Sequence, residues 1–174
     1  MLIQSPLSQD TQREVHARSE EISAEVMADV LKAVNARVKK IDRSYDIPYV
    51  AGYSQNGEKV YIDRHMPKGL QLKDKRVETD RFVTLHEVIE KALLDELGLH
   101  YLHAHQIALR AERAAVESAG LSWEVYESFC REYEKQIADE RLKRVPSDLD
   151  LTPYRDEKDF QTLQRMIGAM DAES

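Results

Sequence analysis

The chain has little of what builds covalently stapled or membrane-bound architectures. A single cysteine, Cys130, stands among its 174 residues, so no internal disulfide can form. In SFCREY that cysteine falls at helical spacing among apolar neighbours and reads as a packing residue rather than a redox group. No apolar run approaches the ~20 residues of a membrane span. MLIQSPLSQD has neither the basic start nor the apolar stretch of a signal peptide. A cytoplasmic protein in reducing surroundings is therefore expected. Positive charge is also short, with Lys+Arg 25 against Asp+Glu 32 and a net charge of −7. That balance leaves no electrostatic footprint for nucleic acid, and local patches such as RLKR read as solvated helix ends. Neither a nucleic acid nor a membrane is expected as a partner, and the oligomeric state stays open. Internal repeats and low-complexity segments are missing too.

What is present is enough for one domain, since a chain of this length buries roughly 70% of its unfolded surface without a staple. Residues 1–174 are read as a single unit: a long N-terminal helix over 1–45, a hairpin and helix pair over 46–120, and C-terminal helices with an extended connector over 121–174. Val15, Ile22, Val26, Val30, Val34, Val38 and Ile41 recur at three-, four- or seven-residue steps, which predicts an amphipathic helix from Asp10 to Ile41 with one buried stripe. His16 lies among charges there and reads as exposed. Two β-prone runs, Tyr49 to Tyr53 and Lys59 to Asp63, flank the turn signal Asn56-Gly57 and predict a hairpin. LQLKDKRVETD follows as a third short strand or a loop.

Thr79 or Asp80 can cap the next helix, which Gly98 stops. The short GLH connection makes its successor, YLHAHQIALRAERAAVESAG, an antiparallel neighbour ending at Gly120. Ser122 caps SWEVYESFCREYEKQIADERLKR, whose Tyr126, Phe129, Cys130, Tyr133 and Ile137 share a face. VPSDLDLTPY reads as an extended connector, and a last helix carries Phe160, Leu163, Met166, Ile167 and Met170. The fold class is α+β: mostly helical, with a small sheet containing a β-hairpin packed on a helix pair.

The chemistry concentrates in TLHEVIEKALL. At 3.6 residues per turn, His86 and Glu90 lie on one side of the helix, beside the stripe of Phe82, Ile89 and Leu93, and Glu87 leans over from about 100° away. In the next helix Tyr101, His105, Ala108, Glu112, Ala115 and Ala119 form a line of mostly small residues that permits close approach. Two adjacent helices thus each place a histidine and a carboxylate on the faces expected to meet. Such a set can supply the converging N and O ligands that a divalent metal requires. His103 falls on another face, His100 belongs to the turn near the negative end of the helix dipole, and His65 follows the hairpin. Tyr101, one turn before His105, reads first as a buried aromatic anchor and is left out of the site, the alternative being that its hydroxyl stabilises an oxyanion near the metal.

HEVIE resembles a divergent HExxE form of the HExxH helix of zincin metallopeptidases, preceded by a hairpin and followed by a second helix with a further ligand. The resemblance covers about residues 48 to 115. It implies His86 as the first metal ligand, Glu87 as the general base, Glu90 in place of the second histidine, and His105 as the ligand from the second helix. Glu112 would orient His105 or bind the metal directly. It also implies an edge strand lining the substrate cleft, for which KVYID is the candidate. The expected cofactor is a divalent metal, zinc first, with Mn or Fe also suited to a carboxylate-bearing set. The implied activity is that of a small metal-dependent peptidase acting on a peptide or protein substrate.

Two other readings stay open. The same residues can form a structural His/Glu cluster in a non-enzymatic helical interaction or scaffold protein, for instance a phage or mobile-element accessory protein. A helical carboxylate–histidine metal protein without protease activity ranks below that, since the paired Glu-x-x-His motifs of ferritin-like sites are missing.

Overall fold

A computed structural model describes residues 8–171, apart from the side chains of Ser23 and Asp171. Most of the stretch read as lacking a signal peptide, residues 1–7, lies outside it. Among the described residues no helix is long and apolar enough to cross a membrane. The architecture is α+β and mostly helical, with two small sheets.

Helix α1 spans Gln9–Arg37, capped by the Ser8 side chain, which accepts from the Thr11 amide. It ends earlier than the valine spacing predicts. Val38 is extended, and Lys40–Asp42 form strand β1, parallel to a strand that the sequence places well downstream. Its apolar residues also split between two faces instead of forming one buried stripe. Leu31 is buried, with Met27 and Val34 packed beside it, whereas Val15, Ile22, Val26 and Val30 are exposed.

The predicted hairpin is present as β2 (Ala51–Tyr53) and β3 (Lys59–Ile62), antiparallel with Gly52 opposite Tyr61. Gly57 takes φ +72° in the turn, as Asn-Gly chemistry favours. The sheet order is β1-β3-β2. KVYID is therefore the central strand and not the cleft edge, because residues 40–42 take the side that a helix was expected to leave free. LQLKDKRVETD becomes a second hairpin of β4 (Gly69–Gln71) and β5 (Arg76–Glu78).

Helix α2 (Asp80–Leu97) ends at Gly98, whose left-handed backbone directs its amide to the carbonyls of Leu93 and Leu94. Helix α3 (Tyr101–Ser118) follows, and His100 is its N-cap, accepting from the Leu102 amide at 3.2 Å, rather than a polar residue at the preceding C-terminus. Ala104, Ala108 and Ala115 are fully buried, so the α3 backbone can lie close to α2. Helix α4 covers Trp123–Ala138 and stops short of the predicted Arg144. The amides of Lys143 and Arg144 instead donate to Asp46 Oδ2 at 2.7 and 2.9 Å, a tertiary anchor that helical backbone could not supply. The connector pairs with the hairpin: Asp150 donates to the Tyr53 carbonyl and Gln55 to that of Asp148. It then forms a short helix, α5 (Thr152–Asp156), before α6 (Phe160–Asp171).

Candidate metal centre

Helix α2 carries a polar patch into an apolar interface. Phe82 and Leu85 anchor it in the core, and the same face brings His86 and Glu90 down beside them, both buried. Helix α3 answers from across the contact with His105 and Glu112.

Three atoms converge. His86 Nε2 lies 3.1 Å from Glu90 Oε2 and 3.1 Å from His105 Nδ1, and His105 Nδ1 lies 3.0 Å from Glu90 Oε2. The remaining polar atoms of the cluster are turned outward and held. His86 Nδ1 meets Glu112 Oε2 at 2.8 Å, and the Tyr126 hydroxyl donates to Glu112 Oε1 at 2.5 Å. The Tyr53 hydroxyl donates to Glu90 Oε1 at 2.9 Å. Each residue therefore presents one defined atom to a common point, and for His86 and Glu90 a hydrogen bond from behind fixes the orientation.

The charges of the cluster follow from this geometry. Burial alone would depress the His86 pKa, but its hydrogen bonds to Glu112 and Glu90 outweigh burial and lift it well above the usual value. Burial would raise Glu90, yet its bonds to His105 and His86 hold it below the ordinary carboxylate value. Glu87 behaves oppositely. It is buried, has no hydrogen-bond partner among the described residues, and is pushed well above the usual carboxyl range by burial and by the nearby charge of Glu90.

A cavity of about 210 Å³ opens onto the cluster, lined by His86, Glu87, Glu90, Tyr101 and His105 on one side and by Val50–Tyr53 on another. The cleft-side strand is thus β2, at the edge of its sheet. Exposure is uneven: the His105 side chain is 34% exposed, against 8% for His86 and 4% for Glu90, so the site is reached past His105. At the strand's entry Val50 adopts φ +74°, an uncommon strain for a β-branched residue and one found preferentially beside functional sites.

All five residues singled out from the sequence meet here, in three positions. His86, Glu90 and His105 form the triangle, Glu87 flanks the cavity, and Glu112 sits behind His86 rather than behind His105 as the resemblance implied. Tyr101 is present too, with its hydroxyl 3.4 Å from His105 Nδ1. Two participants were not read as such, Tyr53 and Tyr126. A tyrosine on a buried strand or helix face needs an acceptor for its hydroxyl, and that requirement is the signal they carried.

His65 does not face this cavity. It lies with Asp63 and Asp46, a second grouping whose spacing admits a cation. There, however, Asp46 Oδ1 pairs with Arg64 Nε at 2.7 Å, Asp63 Oδ2 accepts from the Ile47 amide at 2.8 Å, and His65 Nδ1 reaches Glu140 Oε2 at 2.6 Å. Those carboxylates are occupied in holding loops together.

No family description matches the chain, and neither a curated protein nor a solved structure matches it.

Proposed function

We propose that the protein is a metal-dependent hydrolase acting on peptide bonds, with a divalent cation held by His86, Glu90 and His105 and with Glu87 as its general base. The observation that carries this reading is the triangle of donor atoms with edges of 3.0–3.1 Å. Ligands about 2.0–2.2 Å from a common ion stand at roughly this separation from one another, so a closed triangle of two imidazole nitrogens and one carboxylate oxygen supports an ion at its centre. Two imidazoles and one carboxylate suit zinc and also iron or manganese. When bound, such an ion supplies Lewis acidity and brings the pKa of water to about 7.

The chain's own residues supply the rest. Glu87 is desolvated beside the cavity, and burial raises its affinity for a proton, which suits a group that takes a proton from water and returns it to a leaving amine. Tyr101, beside His105 at the open side, is placed to donate to an oxyanion. The backbone at the start of β2 borders the same cavity from Val50 to Gly52, ahead of the Tyr53 carbonyl that the connector occupies, so an extended peptide can lie against that end of the strand.

A second reading has its own observation. His86 lies between Glu112 and Glu90, and a charged imidazole there would satisfy both carboxylates with no ion, as in a structural cluster of an interaction protein. Metal analysis of protein purified without chelator separates the two. About one equivalent of Zn, Mn or Fe is expected, and a content near zero, unchanged on reconstitution, overturns the proposal. Glu87→Gln should then abolish peptide turnover while metal content and Tm stay nearly unchanged.

A further inference from the structure

Helix α1 is 29 residues long, yet residues 9–22 bury nothing. An isolated helix shorter than about 12–15 residues is marginal in water, so a helical arm of this kind gains from a surface to pack on. It carries the means. Val15, Ile22 and Val26 are 53%, 51% and 56% exposed. At 100° per residue, Val15, Ser19, Ile22 and Val26 fall within an arc of about 60°, while Ala24 and Leu31 on the body-facing side point about 160–180° away. Their four-three-four spacing is that of a heptad seam. The one polar member, Ser19, already donates its hydroxyl to the Val15 carbonyl at 2.7 Å and brings no unsatisfied group to a contact.

We infer that this seam pairs, antiparallel, with the same seam of a second copy of the chain. The charges beside it select both the partner and the direction. Arg18 and Glu25 flank the seam at equivalent positions, and neither has an ionic partner among the described residues. A two-fold axis between residues 20 and 21 sets Val15 against Val26 of the second copy and Ser19 against its Ile22. In that register Arg18 lies level with residue 23 of the second copy and, from the flank of the seam, reaches diagonally to its Glu25 two residues on, twice by symmetry. A parallel pair would set Arg18 against a serine and Glu25 against Val30, with no complementary charge. Asp29, the next seam position, closes the apolar part, so the contact is short. It falls below the roughly 1,200 Å² of standard interfaces and should be reversible. The inference is independent of the proposed hydrolase activity.

Sedimentation equilibrium of the full chain over about 5 to 500 μM should show a monomer–dimer equilibrium. Ile22→Glu, at an exposed position that leaves the folded body intact, should raise the dimer Kd by about tenfold or more. Arg18→Glu or Glu25→Arg alone should weaken dimerisation severalfold, and the double reversal should restore it. A monomer throughout the range, a dimer indifferent to Ile22→Glu, or a double reversal no better than the single ones would each overturn the inference.

Discussion

Two tyrosine hydroxyls decide which carboxylate oxygens are left for chemistry. Tyr53 occupies Glu90 Oε1 and leaves Oε2 on the triangle, while Tyr126 occupies Glu112 Oε1 and leaves Oε2 for His86. In the proposed metal site, Tyr53→Phe should let Glu90 rotate and lower the affinity for the ion by about 10–100-fold, measured by competition with a chromophoric chelator. An unchanged affinity would mean that Glu90 is held by packing alone. Tyr126→Phe strands a buried oxygen of Glu112, and should cost about 1–3 kcal/mol in urea denaturation. Cys130, on the same helix as Tyr126, is an inert neighbour: burial and then the Glu112 charge push its thiol up to about 12, in keeping with a packing role.

At the scale of elements, the chain's local punctuation holds the site helices in place. Gly98 takes φ +59° and lets α2 turn back into α3 within three residues, which aligns His86 and Glu90 with His105 and Glu112. A Cβ added there meets nothing within 4 Å, so Gly98→Ala isolates the cost of the left-handed backbone. Thermal or urea unfolding should show a loss of about 1–2 kcal/mol, with no loss of the α2–α3 contact in the folded state. Signals of this kind were legible from sequence: Gly98, Gly120, Asn56-Gly57 and the Ser122 cap each act within a few residues of themselves. What was not legible depended on distant partners. Residues 40–42 look helical from their own spacing and become a strand because β3 offers them an edge, and that exchange also decides whether KVYID is central or peripheral. Residues 139–144 likewise leave the helical pattern for Asp46, almost a hundred positions earlier. The candidate ligands were legible because a four-residue step on a helix and a short helix connection are local facts. Which histidine Glu112 supports was not, because it depends on how far two helices slide past each other.

The molecule as a whole is closed by its C-terminal connector, which lies along β2 and ties the sheet to the site helices. Asp150 pairs with Lys91 of α2 at 2.7 Å, and Leu149 bridges to Ser54. Asp148 receives Lys59 Nζ at 2.8 Å and the Tyr61 hydroxyl at 2.5 Å. Burial would raise the Asp148 pKa, but the bonds from Lys59 and Tyr61 overcome it, so the carboxyl titrates below its ordinary value in the folded protein. The unfolded chain then binds the proton first as acidity rises. The Asp148 contribution is complete above the unfolded value of about 3.9, fades as pH falls through the window below it, and is gone once the folded carboxyl is protonated. Asp148→Asn removes that dependence, because an amide carries no charge at any pH. Melting temperatures of the two proteins should differ most near neutrality, keep that difference down to about pH 5, and converge in acid as the folded carboxyl is protonated. A gap that stays constant into acid would show that the connector is held there by packing and neutral hydrogen bonds instead of by charge.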